Sequence, residues 1–233
     1  MTPPGGPLRL RPLSAPPAVV WLSETGLRPA QVSAAVLEVH LLPVEGTGLI
    51  GATGLTAAAG GLARDSRSSG FVTDREPLDV GSDNQRAWAV RAPASSGGWR
   101  ERTVEQFRGL IAEASGASAG FLSLPTDLAG ALVDRPPLQR DIARLVALAA
   151  PHVAAANQVV PAVGPSDAER VWAGDPTQVG SRNGGSMRTR RGLAIRVGPE
   201  FSVDRDQLVG GIGDMAAELA ARVLNDVRQL PAY

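Results

Sequence analysis

The chain contains no cysteine and no lysine. Without cysteine there are no disulfides, no thiolate zinc site and no thiol chemistry. Without lysine, all 23 basic side chains are arginine. Each keeps its charge at physiological pH and offers a planar fork of donors that fits phosphate oxygens. Lysine codons are A-rich, and Ile, Asn, Phe and Tyr are scarce as well, so the missing lysine reads as GC-rich coding. Aromatic residues make up only 4% of the chain, so a core must be built from Leu, Val and Ala, with four Trp as its larger pieces. No run of about 18 apolar residues occurs, which argues against a membrane-spanning helix. The opening MTPPGGPLRLRPLSAPP lacks the apolar stretch of a secretory signal. The two histidines, His40 and His152, do not sit in any metal-ligand spacing with Asp or Glu. No metal and no cofactor is therefore expected, and His40, within VLEVHLL, reads as a core or edge histidine.

What is present is a chain of 233 residues, enough for one domain or two small ones, with 43% apolar residues to bury. Alanine, proline and serine account for 71 of the 233 residues, without any repeat period. The net charge is zero, yet the charge is divided. Residues 176–199 hold Arg182, Arg188, Arg190, Arg191 and Arg196 and no acid, and the remainder is correspondingly acidic. Codon bias explains arginine in place of lysine but not this clustering. A protein that binds nucleic acid over its whole surface has a basic pI, so an anionic partner here would be held locally.

Six prolines in residues 1–17 predict an extended arm. Beyond it, residues 18–233 read as a single, mainly α domain, α+β with a few short strands. Short strands are expected at 18–22, at 86–91, where Trp88 and Val90 alternate onto one face, and at 192–197. Helices are expected over 29–42, with Val32, Val36, Val39 and His40 on one face, and from Thr103, where Gln106 completes a capping box. Further helices are expected over 126–132, 136–149, a second segment to 160, a short one capped by Ser166 and Glu169, and the last from Asp204 or Asp206 to Leu230. In that last helix Glu218 is placed to pair with Arg222. Residues 43–70 read as a Gly/Ala-rich loop and 176–191 as an Arg-rich loop.

Three motifs carry chemistry. Gly116-Ala-Ser118-Ala-Gly120 has the spacing of a nucleophile elbow, but that device needs a strand before the serine and a helix after it; here a helix is expected before it. Gly46, Gly48 and Gly51 (GTGLIG) have the spacing of a dinucleotide loop, with Asp74 placed where a ribose-binding acid belongs. That alternative, a nucleotide-cofactor enzyme, requires a strand over 36–42 and a helix starting near Gly51. The third motif is the arginine cluster. Arg182, Arg188, Arg190, Arg191 and Arg196, assisted by Arg9 and Arg11 of the arm, suit sequence-independent contact with nucleic-acid phosphates. No aromatic residue interleaves the cluster, so base stacking is not indicated.

The Pro-rich stretch TPPGGPLRLRPLSAPPAVVW, the segment SRNGGSMRTRRG and the high Ala/Pro/Ser content together resemble the proline-alanine-serine-rich proteins of polymycoviruses. The resemblance is compositional and extends loosely over the whole chain. It implies a non-enzymatic viral structural protein that self-associates and coats or associates with double-stranded RNA. It also implies residence in a virion or a ribonucleoprotein in the host cytoplasm. A phage or bacterial assembly protein without nucleic-acid contact is the further alternative.

Overall fold

The computed structural model describes residues 8–27, 35–44, 50–91, 107–127, 130–166, 168–173, 187–193 and 195–229. In chain order the elements are β1 (Arg11–Pro12), α1 (Leu22–Thr25), β2 (Val36–Pro43), α2 (Ala52–Ser68), β3 (Asp79–Ser82), β4 (Arg86–Arg91), β5 (Arg108–Glu113), β6 (Ser118–Ser123), β7 (Thr126–Asp127) and β8 (Gly130–Val133). They continue with α3 (Arg135–Ala149), β9 (Gln158–Ser166), β10 (Ala168–Ala173), β11 (Met187–Leu193), β12 (Phe201–Asp204), α4 (Arg205–Gly210) and α5 (Ile212–Gln229). Eight strands form one antiparallel sheet in the order β1-β12-β9-β2-β6-β5-β4-β3. A smaller sheet runs β11-β10-β8-β7, with β8 and β10 parallel. The expected mainly α fold is thus corrected: the protein is organised on an antiparallel sheet with helices laid against it.

The reason for the misreading lies in β2. A strand covered on one face alternates apolar and polar; one covered on both faces does not. Leu37, Val39 and Leu41 join the core beneath the helices, with Leu145, Leu219 and Val223. Val36 and Leu42 face the other way, into two smaller apolar clusters. All seven residues from Val36 to Leu42 are buried, so VLEVHLL has apolar residues at helical spacing as well as strand spacing. The same two-sided burial hides β5, where Leu110 and Ala112 face the helices and Ile111, with Phe107 just before the strand, the opposite side. The helix expected from Thr103 is therefore a strand from Arg108, and residues 101–106 lie outside the described residues.

Other expectations are corrected in the same way. Where helices were expected over 126–132 and after Ser166, the described residues form the short strands β7, β8 and β10, with β8 paired to both others. The segment before Val160 opens β9. The first expected strand, 18–22, does not form: residues 18–21 belong to no regular element, and Leu22 opens the single turn of α1. The Gly/Ala-rich loop at 43–70 contains α2, whose Leu55, Ala59, Leu62 and Ser66 fall on one buried face. Alanine is the best helix former and offsets three internal glycines that each cost about 1 kcal/mol. The part of the expected Arg-rich loop that is described, from Met187, is strand β11.

Helix α3 forms as expected. Asp134 caps it by accepting from the Arg135 N–H, prolines occupy its first turn, and Leu138, Ile142, Leu145 and Ala149 are buried. Helix α5 buries Ala216, Ala220, Val223 and Val227, and its Arg222 donates to Glu218 at 2.7 Å. Strand β4 also forms where alternation placed it.

The face of the large sheet opposite the helices is covered by the N-terminal segment. Residues 11–12 pair with β12, and the chain then crosses the sheet as a strap. Leu13, Val19 and Trp21 pack on Leu42, Val160 and Ala162; Leu22 and Leu27 pack on Val36, Ile111 and Phe121. At the far side, Arg86 donates to the Thr25 carbonyl at 3.1 Å. Gly164 lies beneath the strap, where a Cβ would strike the Ile195 carbonyl and come within 3.0 Å of the Trp21 ring. Only glycine permits that approach.

Candidate functional site

The fold divides the seven arginines selected from the sequence. Arg182 lies outside the described residues. Arg188, Arg190 and Arg191 stand on β11, the outermost strand of the small sheet, which pairs with β10 alone among the described residues. The β10–β11 register shifts between Ala168 and Arg170, so the pairing is irregular opposite Arg190 and Arg191, while Arg188 pairs with Val171. Arg196 is separated from them in role. Its guanidinium lies 4.8 Å from the centre of the Trp21 ring and 3.5 Å from Glu24, so it fastens the strap. Arg9 uses its backbone N–H on Gln207, and the Arg11 side chain pairs with Asp204 at 2.8 Å. The arm is therefore docked on its own chain over residues 9–12.

The strand and helix required around the glycine loop are both present. Strand β2 ends at Pro43, and Gly51 is the N-cap of α2. Gly46 and Gly48 lie outside the described residues. Two features separate this arrangement from a dinucleotide site. Both neighbours of β2 are antiparallel, whereas that site is built on parallel strands. Asp74 follows the far end of α2, whose 17 residues span about 25 Å at about 1.5 Å each. It is 92% exposed there and lies 3.8 Å from Arg67. Gly51 and Asp74 are thus not brought together. Ser118 is also not presented as a nucleophile: it opens a strand and donates to the Ala149 carbonyl at 2.9 Å, fully buried.

Two polar arrangements were not visible as such in the sequence. The first lies under the strap. Glu38 and His40 point from β2 into the face covered by Trp21 and Leu22, and they are 1% and 4% exposed. Glu38 Oε2 accepts from the Leu22 N–H at 2.7 Å and lies within hydrogen-bond distance of His40 Nε2, at 3.1 Å. The Trp21 ring stands edge-on to His40 at 4.8 Å. Glu38 Oε1 has no hydrogen-bond partner. A buried carboxyl with one unsatisfied oxygen costs free energy, and what it secures is the strap. The buried reading of His40 holds.

The second arrangement surrounds the turn after α2. Glu76 accepts from Arg108 Nη2 through both oxygens at 2.7 Å, lies 2.6 Å from Arg91 Nε, and receives the Thr73 N–H and hydroxyl. Arg91 and Arg108 face each other across β4 and β5, a costly placement for like charges that Glu76 offsets. Burial pushes the Glu76 carboxyl up, but the Thr73 hydrogen bonds and the Arg108 charge outweigh it, and its pKa lies below the ordinary value. From other elements Arg67 donates to the Thr73 carbonyl and Arg144 to the Gly70 carbonyl, each at 2.9 Å. The Arg144 and Arg108 guanidiniums lie 5.0 and 5.8 Å from the Phe71 ring centre. These four arginines come from α2, β4, β5 and α3, so no window of sequence shows them as a group.

His152 gives a pH prediction. Its Nε2 lies 2.9 Å from Asp65 Oδ2. Burial holds its pKa below the ordinary 6.5, and the Asp65 carboxylate recovers part of the shift. The fold resists a proton that the unfolded chain accepts below about pH 6.5, so this group lowers stability as the pH falls through that value. Urea midpoints at pH 7.5 and 5.5 should show a smaller acid loss for His152→Gln than for the wild type. Equal losses would remove His152 as the cause.

No helix among the described residues is long and apolar enough to cross a membrane. Among the same residues, no three His, Asp or Glu side chains gather as a metal would require. No family model, no curated protein and no solved structure matches the chain.

Proposed function

We propose that the protein is a non-enzymatic, self-associating coat protein that contacts the phosphates of double-stranded RNA, in keeping with its compositional resemblance to the polymycovirus proteins. The observation that carries this reading is the placement of Arg188, Arg190 and Arg191 on the outermost strand of the small sheet. Among the described residues this strand has a partner on one side only. Arg196 and Arg11 serve the strap and β12, so the RNA contact narrows to β11, with Arg182 beside it in sequence. Charged edge strands also resist pairing with other chains, so self-association would use a surface other than this edge.

The test compares wild type with a variant carrying Arg188→Ala, Arg190→Ala and Arg191→Ala, both purified from cells without nuclease. The wild type should elute as a large assembly with excess absorbance at 260 nm, and the variant should lose that excess. An equal absorbance ratio in the two proteins would remove β11 as the RNA contact.

A further inference from the structure

We propose that the turn from Gly70 to Thr73, fastened by Arg67 of α2 and Arg144 of α3, is a binding site for a phosphate-bearing anion. This site does not involve β11 and does not depend on the RNA reading.

Arg67 and Arg144 reach the same turn from different helices. Arg67 spends one donor on the Thr73 carbonyl and Arg144 one on the Gly70 carbonyl. A guanidinium carries five donors, so each is fixed in place by one bond and keeps donors for a ligand. Arg144 is held further by its position over the Phe71 ring, and Phe71 is 1% exposed and cannot move aside. Positioning of this kind lowers the ordering cost of binding.

The charge balance points to an anion. Glu76 is engaged by Arg91, Arg108 and Thr73 and is not available to the two helix arginines. Asp74, at 3.8 Å from Arg67 and 92% exposed, offsets little of its charge, because water screens an exposed pair. Asp141 pairs with Arg140 at 3.4 Å, and the Arg144 charge acts on it more weakly than that of Arg140. A purely structural role accounts for the Glu76 clamp, which joins β4, β5 and the turn. The helix arginines add to it: each fastens the turn through one carbonyl bond and keeps further donors outside that role. A phosphate group offers oxygens to more than one guanidinium, whereas a halide or a single carboxylate would satisfy one.

Calorimetric titration with inorganic phosphate and with pyrophosphate at low ionic strength tests the site. The probes are wild type, Arg67→Gln, Arg144→Gln and Arg144→Lys, with the exposed Arg228→Gln as a charge control. Urea midpoints confirm folding of each, and Arg144→Lys keeps the charge if Arg144→Gln folds poorly. Binding should weaken about tenfold in each Arg67 and Arg144 variant, as loss of one charge-assisted bond implies, and stay unchanged in Arg228→Gln. Competition by a short RNA duplex would identify a backbone phosphodiester as the occupant; its failure to compete would identify a small phosphate compound. No binding by the wild type at millimolar phosphate, or equal weakening by Arg228→Gln, would overturn the proposal.

Discussion

Replacing Glu38 by alanine is expected to lower the unfolding free energy by about 3–5 kcal/mol, the cost of stripping one partner from a buried polar pair. The substitution leaves His40 buried at 4% exposure without its carboxyl, and the Leu22 N–H without its acceptor. The double replacement Glu38→Leu with His40→Leu should cost less than Glu38→Ala alone. It removes both polar groups together, fills the space with apolar atoms and abolishes the unpartnered Oε1. Urea unfolding followed by tryptophan fluorescence reports the result, since Trp21 rests on His40. If the single and double variants lose the same stability, the pair is not coupled and Glu38 does not fasten the strap.

Trp21→Ala should cost about 3–5 kcal/mol, the usual range for a large buried aromatic. Trp21 is 4% exposed and closes the cluster of Leu42, Ala117, Val160 and Ala162. It also carries the Arg196 guanidinium and the edge of His40. Its loss should loosen the strap before the sheet. Amide exchange would then rise over residues 13–27 while β5 and β6, paired along five residues, stay protected. Uniform acceleration over both regions would show that the strap and the sheet open as one unit.

These interactions explain what could be read along the chain and what could not. Helices α3 and α5 were legible because each buries one stripe and exposes the other, and because Asp134 and the following prolines mark where α3 begins. Strand β4 was legible from the alternation of RAWAVR. Strand β2 was not, because helices on one side and the strap on the other bury every residue from Val36 to Leu42. A one-sided pattern never arises there, and the Val spacing imitates a helix. Helix α2 was obscured by Gly54, Gly60 and Gly61, although Leu55, Ala59 and Leu62 keep helical spacing.

The sites divide similarly. The β11 arginines stand out in sequence because they are neighbours in the chain. Arg67, Arg91, Arg108 and Arg144 are neighbours only in space, and the antiparallel register that sets Arg91 against Arg108 is a property of the folded sheet. Arg196 shows the converse: adjacent to the cluster in sequence, it belongs to Trp21 and Glu24 in the structure.

The most direct measurement of RNA contact through β11 is a salt titration. Double-stranded RNA binding is measured from low to physiological salt for wild type and for the variant with Arg188, Arg190 and Arg191 changed to Ala. Each phosphate contact contributes roughly 0.9 to the slope of log affinity against log salt for a duplex. The wild-type slope should exceed that of the variant by about 2–3, with weaker binding by the variant at every salt concentration. Equal slopes, or no binding by the wild type at low salt, would contradict an RNA-coating role carried by this strand.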